Sequence, residues 1–166
     1  YGISYVDNVN SLISIKGKGE LNNNILKQIT NIKSKSCIGH LRHSTSGLTI
    51  KNGLIKNTEL QPIKGIDNYS NKTFYIAHNG NIPNIENHDT TYIKNLLENE
   101  KDTMENKLID LINKIPAAFS IIILTSDNVL YAIRDRFGIR PLCIGNDNDK
   151  YYISSESCAF TNNVNY

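Results

Sequence analysis

The order in which strand-like and helix-like segments follow one another constrains the fold of this chain most. Short runs rich in apolar and β-branched residues, separated by polar turns, predict strands in the first and last thirds of the chain. In the last third they occupy residues 118–124, 129–134, 142–144 and 151–154. Because strands occur in blocks and do not alternate singly with helices, the sequence predicts an α+β fold with mainly antiparallel sheets, not a doubly wound parallel sheet.

The rest of the chain supplies the remaining predicted elements. Apolar residues at helical spacing predict helices over 22–32, 90–97 and 104–115. Further strands are predicted over 2–6, 12–15, 37–41 and 73–77, the third of them as a buried strand. The polar stretch 42–60 is predicted as a long loop or weak hairpin, and 78–81 as a loop that follows a strand.

Length and composition limit the function. The chain has 166 residues, enough for one domain, and 18 basic against 16 acidic residues give a net charge of +2, which does not indicate nucleic-acid binding. It contains no apolar run long enough to span a membrane. Three cysteines cannot form a disulfide framework, and with no signal peptide in view we expect a cytoplasmic protein.

A metal site is not predicted. Cys37, His40 and His43 are spaced three residues apart, but side chains alternate along a strand, and no fourth ligand stands at a usual zinc spacing. We therefore interpret them as a core cysteine and two packing or loop histidines.

Polar residues that follow predicted strands suggest a binding site. Arg42 and the hydroxyl-bearing Thr45 suit a carboxylate, because a guanidinium offers a planar fork of donors. The Asn79 amide beside the Gly80 N–H can form an oxyanion hole. Asp89, where a helix begins, is either an N-terminal cap or an acceptor for a substrate ammonium. Together these groups suit an α-amino acid whose side-chain carbonyl is attacked.

The same residues lie in motifs that resemble a known family. GHLRHSTSG at 39–47, AHNGN at 77–81 and HDT at 88–90 resemble the class-II glutamine amidotransferases. RDRFGIRPL at 134–142 and SESCA at 155–159 are similar to the glutaminase half of the amidophosphoribosyltransferases. The resemblance extends over about residues 1–160.

The resemblance implies a fold and an activity. The fold would be a four-layer α-β-β-α sandwich of the N-terminal-nucleophile hydrolase type. The activity would be glutamine hydrolysis that supplies ammonia to a synthase domain or subunit, here to make 5-phosphoribosylamine in purine synthesis, with no cofactor in this domain. Carried over by motif, Arg42 would bind the glutamine α-carboxylate and Asp89 its α-ammonium. Asn79 and Gly80 would form the oxyanion hole, and Thr45 would line the pocket. The 134–142 motif would be structural.

The family nucleophile is an N-terminal cysteine, and here residue 1 is Tyr. We therefore interpret residues 1–166 as a single, truncated amidotransferase domain that lacks the nucleophile segment and a phosphoribosyltransferase domain. A polypeptide of these residues alone is expected not to hydrolyse glutamine. Two alternatives remain open at this point: an inactive glutamine-binding or assembly module, and an asparagine-synthetase-like amidotransferase. Self-association into a homo-oligomer is open as well.

Overall fold

The structure, a computed structural model, describes residues 1–41, 60–85, 88–161 and 164–166. Within these ranges the helices are α1 (Asn23–Thr30), α2 (Asp89–Asn99) and α3 (Met104–Lys114). The strands are β1 (Gly2–Val6), β2 (Leu12–Lys16), β3 (Cys37–His40), β4 (Ile63–Asp67), β5 (Lys72–Asn81), β6 (Ala118–Thr125), β7 (Leu130–Arg134), β8 (Cys143–Asp147) and β9 (Lys150–Ser154). A membrane-spanning helix, which must be both long and apolar, is not found among the described residues.

The strands form three antiparallel units. The first sheet has the order β2-β1-β3, the second sheet has the order β4-β5-β6-β7, and β8 pairs with β9 in a hairpin. The longest pairing joins β5 to β6, from Phe74 opposite Thr125 to Asn81 opposite Ala118. The α+β class predicted from the block order of the strands is confirmed.

The second sheet has an apolar core on each face. Alternation along β5 directs Phe74 and Ile76 to one face, where they join a cluster with Ile93 of α2 and Leu108 of α3. Tyr75 lies on the other face and clusters with buried residues of the first sheet, including Ile38. The second sheet therefore lies between the first sheet and the pair of helices.

Two sequence predictions are corrected here, and one strand was missed. Residues 78–81 are not a loop, because β5 continues through Asn81 with β6 as its partner. β4 was not predicted, since its alternation is short and interrupted by Gly65, against whose face the Phe74 ring packs. The strand at 37–41 is present, but only Ile38 is buried, because β3 lies at the edge of its sheet.

A buried ion pair fixes α3 to the second sheet. The Lys107 ammonium lies 2.5 Å from Asp67 Oδ1, at the end of β4, and donates to the Leu97 carbonyl oxygen at 2.8 Å. The Asp67 carboxylate also accepts from the Tyr69 N–H at 3.0 Å and from the Ser70 hydroxyl at 2.5 Å. Both charges are almost fully excluded from water, so the pair depends on these additional bonds for its stability.

Replacing Lys107 with Met is expected to lower the free energy of unfolding by about 3–5 kcal/mol, because it leaves the Asp67 carboxylate buried without its counter-charge. Adding Asp67→Asn should recover part of that loss. Urea unfolding followed by circular dichroism measures both effects. The matched control is Lys114→Met, whose ammonium pairs with Glu100 and Asp110 but is 58% exposed, and which should cost less than about 1 kcal/mol. Equal losses at the two lysines would contradict this assignment.

Candidate functional site

The end of β5 and the start of α2 are joined by two side-chain contacts. Asp89, the first residue of α2, accepts a hydrogen bond from the Ile82 N–H at 2.8 Å through Oδ2. Thr90 Oγ1 lies 3.4 Å from His78 Nδ1. Both contacts are made by adjacent residues of α2, so they hold the first turn of this helix against the end of β5. We call this junction the β5–α2 corner.

The helix cap suggested for Asp89 is wrong. The residue before the first helical turn is His88, and its side chain makes no capping bond. The Asp89 carboxylate bonds to the chain after β5 instead, and its negative charge in the first turn suits the helix dipole. One carboxylate oxygen is used in this way, and a carboxylate can accept further donors.

The N–H groups at the end of β5 point in alternate directions. Phe119 lies opposite Gly80 on β6. Its N–H donates to the Asp135 carboxylate and its carbonyl oxygen accepts from the Asp135 N–H, so both groups point towards β7. Gly80 is therefore at a non-hydrogen-bonded position of the β5–β6 ladder, and its N–H points away from β6. The N–H groups of His78 and Ile82 point the same way, to Gln61 Oε1 at 2.6 Å and to Asp89. The Gly80 N–H lies between them.

Asn79 and Gly80 differ in their surroundings. Asn79 continues the face of β5 that packs against the first sheet, and it is exposed. At Gly80 a Cβ atom would lie 2.6 Å from the Ala118 carbonyl oxygen and 2.6 Å from His78 Nε2. No side chain fits there without movement of the backbone or of the buried ring. Asn79 and Gly80 thus lie on the strand end, and Asp89 on the helix start, that form the corner; their predicted roles stay predictions.

His78 is the buried polar group of this corner. It is 4% exposed, and its Nε2 has no hydrogen-bond partner in the part of the chain that the structure describes. Burial lowers the pKa of its imidazole to about 4, helped by the nearby charges of His88, His40 and Arg140. The ring is therefore neutral at physiological pH.

The first sheet approaches the same corner. His40 lies opposite Gly2 in the β1–β3 ladder, and a Cβ at Gly2 would lie 2.0 Å from the Gln61 carbonyl oxygen. Gln61 in turn accepts from the His78 N–H, so a continuous line of contacts joins the two sheets. His40 is the last residue of β3, so β3 ends at this corner. Arg42 and Thr45 lie outside the described residues, and their predicted roles stay predictions.

Sequence reasoning missed the part that Arg140 and Asp135 play near this corner. The buried Asp135 carboxylate accepts from four backbone N–H groups, those of Phe119, Phe137, Ile139 and Arg140, at 3.0–3.3 Å. Burial alone would raise the pKa of this carboxyl group, but the four hydrogen bonds outweigh burial and lower it. Asp135 thereby fixes the turn at 134–140, which supports the predicted structural role of the motif and holds Arg140 near His78.

Other candidate features lie away from the corner. A cavity of about 210 Å³ is found near the opposite end of β5 and is lined by Lys72, Asp127, Glu105 and Tyr131, among others. Its polar groups bond to each other, Lys72 to Asp127 at 2.6 Å and Tyr131 to Glu105 at 2.8 Å. This cavity does not contact the β5–α2 corner.

The burial of His78 predicts an acid-sensitive fold. Its folded-state pKa of about 4 lies below the ordinary 6.5, so the unfolded chain binds more protons between these values. The contribution is complete above pH 6.5 and is lost as the pH falls to about 4, by up to about 3 kcal/mol. Urea unfolding at several pH values should show a smaller decline for His78→Asn. Thr90→Ser removes no titrating group, so its free energy of unfolding should fall with pH as steeply as that of the wild type. If wild type, His78→Asn and Thr90→Ser all show the same decline, His78 is not the group responsible.

Comparisons with known proteins agree with the motifs. The family described as "Glutamine amidotransferase domain" matches residues 48–162, well over half of the chain. An amidophosphoribosyltransferase of Methanocaldococcus jannaschii is 34% identical over 142 residues, which cover 75% of this chain and 28% of that protein. One from Bacillus subtilis is 29% identical over 149 residues, covering 80% and 30%.

A solved structure agrees as well. The glutamine phosphoribosylpyrophosphate amidotransferase of B. subtilis, complexed with ADP and GMP, matches with a TM-score of 0.75 and 25% identity, over 96% of this chain and 36% of that one. The chain thus spans about a third of the length of these relatives. By the family match and the shared fold, the chain belongs to the glutamine amidotransferase domain family.

Proposed function

We propose that the β5–α2 corner is a glutamine site, at which the side-chain amide of glutamine is hydrolysed to release ammonia. The observation that carries this proposal is the bracing of Asp89 against the end of β5. It holds a carboxylate, which would be the anion for the substrate ammonium, beside the end of the strand that carries Asn79 and Gly80. A zwitterion with a reactive amide at its far end needs this separation of groups.

Substrate recognition in this proposal uses both ends of the amino acid. Asp89 binds the α-ammonium through its remaining acceptor capacity, and Arg42 binds the α-carboxylate with two parallel hydrogen bonds. Arg42 follows His40 by two residues, and the position of His40 beside Gly2, at the corner, supports this assignment. Thr45 lines the pocket. Charge-assisted bonds of this kind contribute about 1.5–3 kcal/mol each.

The chemical step in this proposal passes through an oxyanion. A thiolate attacks the amide carbon of glutamine, and the carbonyl oxygen becomes an oxyanion that accepts from the Asn79 amide and the Gly80 N–H. The amide nitrogen takes a proton and leaves as ammonia, and water then hydrolyses the thioester to glutamate.

The three cysteines of the chain do not suit the attack. Cys37 lies opposite Tyr5, at the end of β3 away from the corner. Cys143 lies in the β8–β9 hairpin, and Cys158 follows that hairpin in a short 3-10 turn. We therefore propose that the thiol comes from outside residues 1–166. The ammonia acceptor is proposed to be a phosphoribosyltransferase domain or subunit, as the names of the relatives suggest.

We further propose that α1 forms a fourth layer, outside the first sheet. Ile25 and Ile29 lie one turn apart on α1 and are half-buried, and so are Ile3 and Tyr5 on the outward face of β1. Covering one apolar stripe with the other would complete the α-β-β-α order of an N-terminal-nucleophile hydrolase.

Arg42→Lys is expected to weaken glutamine binding about tenfold or more, because a lysine ammonium cannot reproduce the bidentate geometry. Isothermal titration of the chain with L-glutamine measures this change. Arg136→Lys is the matched control, since Arg136 is exposed on the 134–140 turn, and it should leave the affinity unchanged. Equal affinities for the wild type and Arg42→Lys would remove Arg42 from the site.

Asn79→Ala is expected to lower kcat for ammonia release about a hundredfold or more, with little change in glutamine affinity, because the Asn79 amide acts on the oxyanion and not on the bound substrate. The assay is glutamine-dependent ammonia release by the intact protein in which this chain occurs. Asn81→Ala, two residues further along the same face of β5, is the control. If the intact protein binds glutamine but never releases ammonia, the domain is a binding module and the hydrolytic proposal is wrong.

A further inference from the structure

We propose that His78 is a positioning residue of the glutamine site: its buried ring fixes the Asn79-Gly80 segment of β5 relative to Asp89 on α2. This inference rests on the proposed function and deepens it. It assigns to His78 a part in the site without contact with the substrate.

The His78 ring contacts both segments whose relative position matters, the end of β5 and the start of α2. On one side, Thr90 Oγ1 lies 3.4 Å from Nδ1, and Thr90 is the residue next to Asp89. On the other side, Nε2 lies where a side chain of Gly80 would be, 2.6 Å from the position of a Cβ atom. A displacement of the ring would therefore move the Gly80 backbone, the α2 start, or both.

The backbone of His78 is fixed independently. Its N–H donates to Gln61 Oε1 at 2.6 Å, and its strand position opposite Ile121 is part of the longest ladder of the fold. Gln61 and Thr90 are 6% and 1% exposed, so solvent does not compete for these bonds. The imidazole is held at the backbone and at Nδ1, and Nε2 is directed at Gly80.

The contacts also indicate the tautomer. If the proton is on Nδ1, the ring donates to Thr90 Oγ1, and the Nε2 lone pair faces the Gly80 Cα–H, which forms a weak but favourable contact. If the proton is on Nε2, a buried N–H is directed at a carbon atom and has no acceptor among the described residues. The first arrangement leaves no donor of the ring unsatisfied, so we assign the Nδ1–H form.

His78 does not meet the requirements of a catalytic acid or base. Its Nε2 is excluded from solvent and covered by the Gly80 backbone, so neither substrate nor water reaches it without movement of the strand. The Asn79 side chain extends from the opposite face of the second sheet, because neighbouring residues of a strand alternate. Any effect of His78 on the reaction passes through the strand.

Thr90 offers a matched pair of variants that test this role. Thr90→Val keeps the shape of the side chain and removes its hydroxyl group, whereas Thr90→Ser keeps the hydroxyl group. In the intact protein, Thr90→Val is expected to lower kcat for ammonia release about three- to tenfold, and Thr90→Ser should remain within about twofold of wild type. In the Asn79→Ala background, Thr90→Val should cause a smaller loss than in the wild type, because one of the two oxyanion donors on the positioned segment is gone.

A second measurement does not depend on activity. Nitrogen NMR of the 166-residue chain with ¹⁵N-labelled histidine should show His78 with a protonated Nδ1 and an unprotonated Nε2. Thr90→Val should shift the backbone amide signal of Gly80, and Thr90→Ser should shift it far less. A protonated Nε2, or equal shifts of the Gly80 signal in both variants, would overturn the inference.

The two proposals fail differently. If Asn79→Ala leaves ammonia release intact, the proposed glutamine site is wrong, whatever Thr90 does. If Asn79→Ala abolishes release but Thr90→Val and Thr90→Ser behave alike, the site stands and the positioning role of His78 is wrong. The same conclusion follows if Thr90→Val lowers kcat by the same factor in the Asn79→Ala background as in the wild type.

Discussion

The pairing of β5 with β6 is the constraint on which the rest of the structure depends. It joins eight residue pairs and has an apolar core on both faces. Because the ladder continues through Asn79 and Gly80, the two groups proposed to stabilise an oxyanion lie on a strand and not on a loop. A strand held on one side by a long ladder keeps such donors in place before the substrate arrives, which is the condition under which they contribute most.

The corner at the end of this ladder separates charges. Asp89 carries a negative charge and Arg140 a positive one. The buried His78 is neutral, because burial and its cationic neighbours lower its pKa. A protonated His78 would repel the Arg140 guanidinium and would require the hydration that the Gly80 backbone excludes. The neutral ring can instead pack against Gly80 and still bond to Thr90.

Sequence patterns predicted much of this structure, but not the end of β5. Periodicity identified all three helices and eight of the nine described strands, and the motifs at 77–81 and 88–90 indicated residues that meet at one corner. Asn and Gly, however, favour turns by local preference, and a ladder partner 39 residues away, Phe119 for Gly80, overrides that preference. The pairing of Thr90 with His78 and the four bonds to Asp135 are tertiary contacts, which local spacing does not encode.

Gly80 combines the separate demands on this corner. A glycine inside a strand costs about 0.5–1 kcal/mol relative to alanine, so its presence needs a compensating reason. One reason is steric, since the Ala118 carbonyl oxygen and His78 Nε2 occupy the space of a Cβ. The other is chemical, since an N–H that points away from β6 can serve a substrate only if no side chain covers it. The ring that fills the space beneath Gly80 is thus the same ring that joins the strand to α2, and the packing and the proposed chemistry of the corner require the same residue.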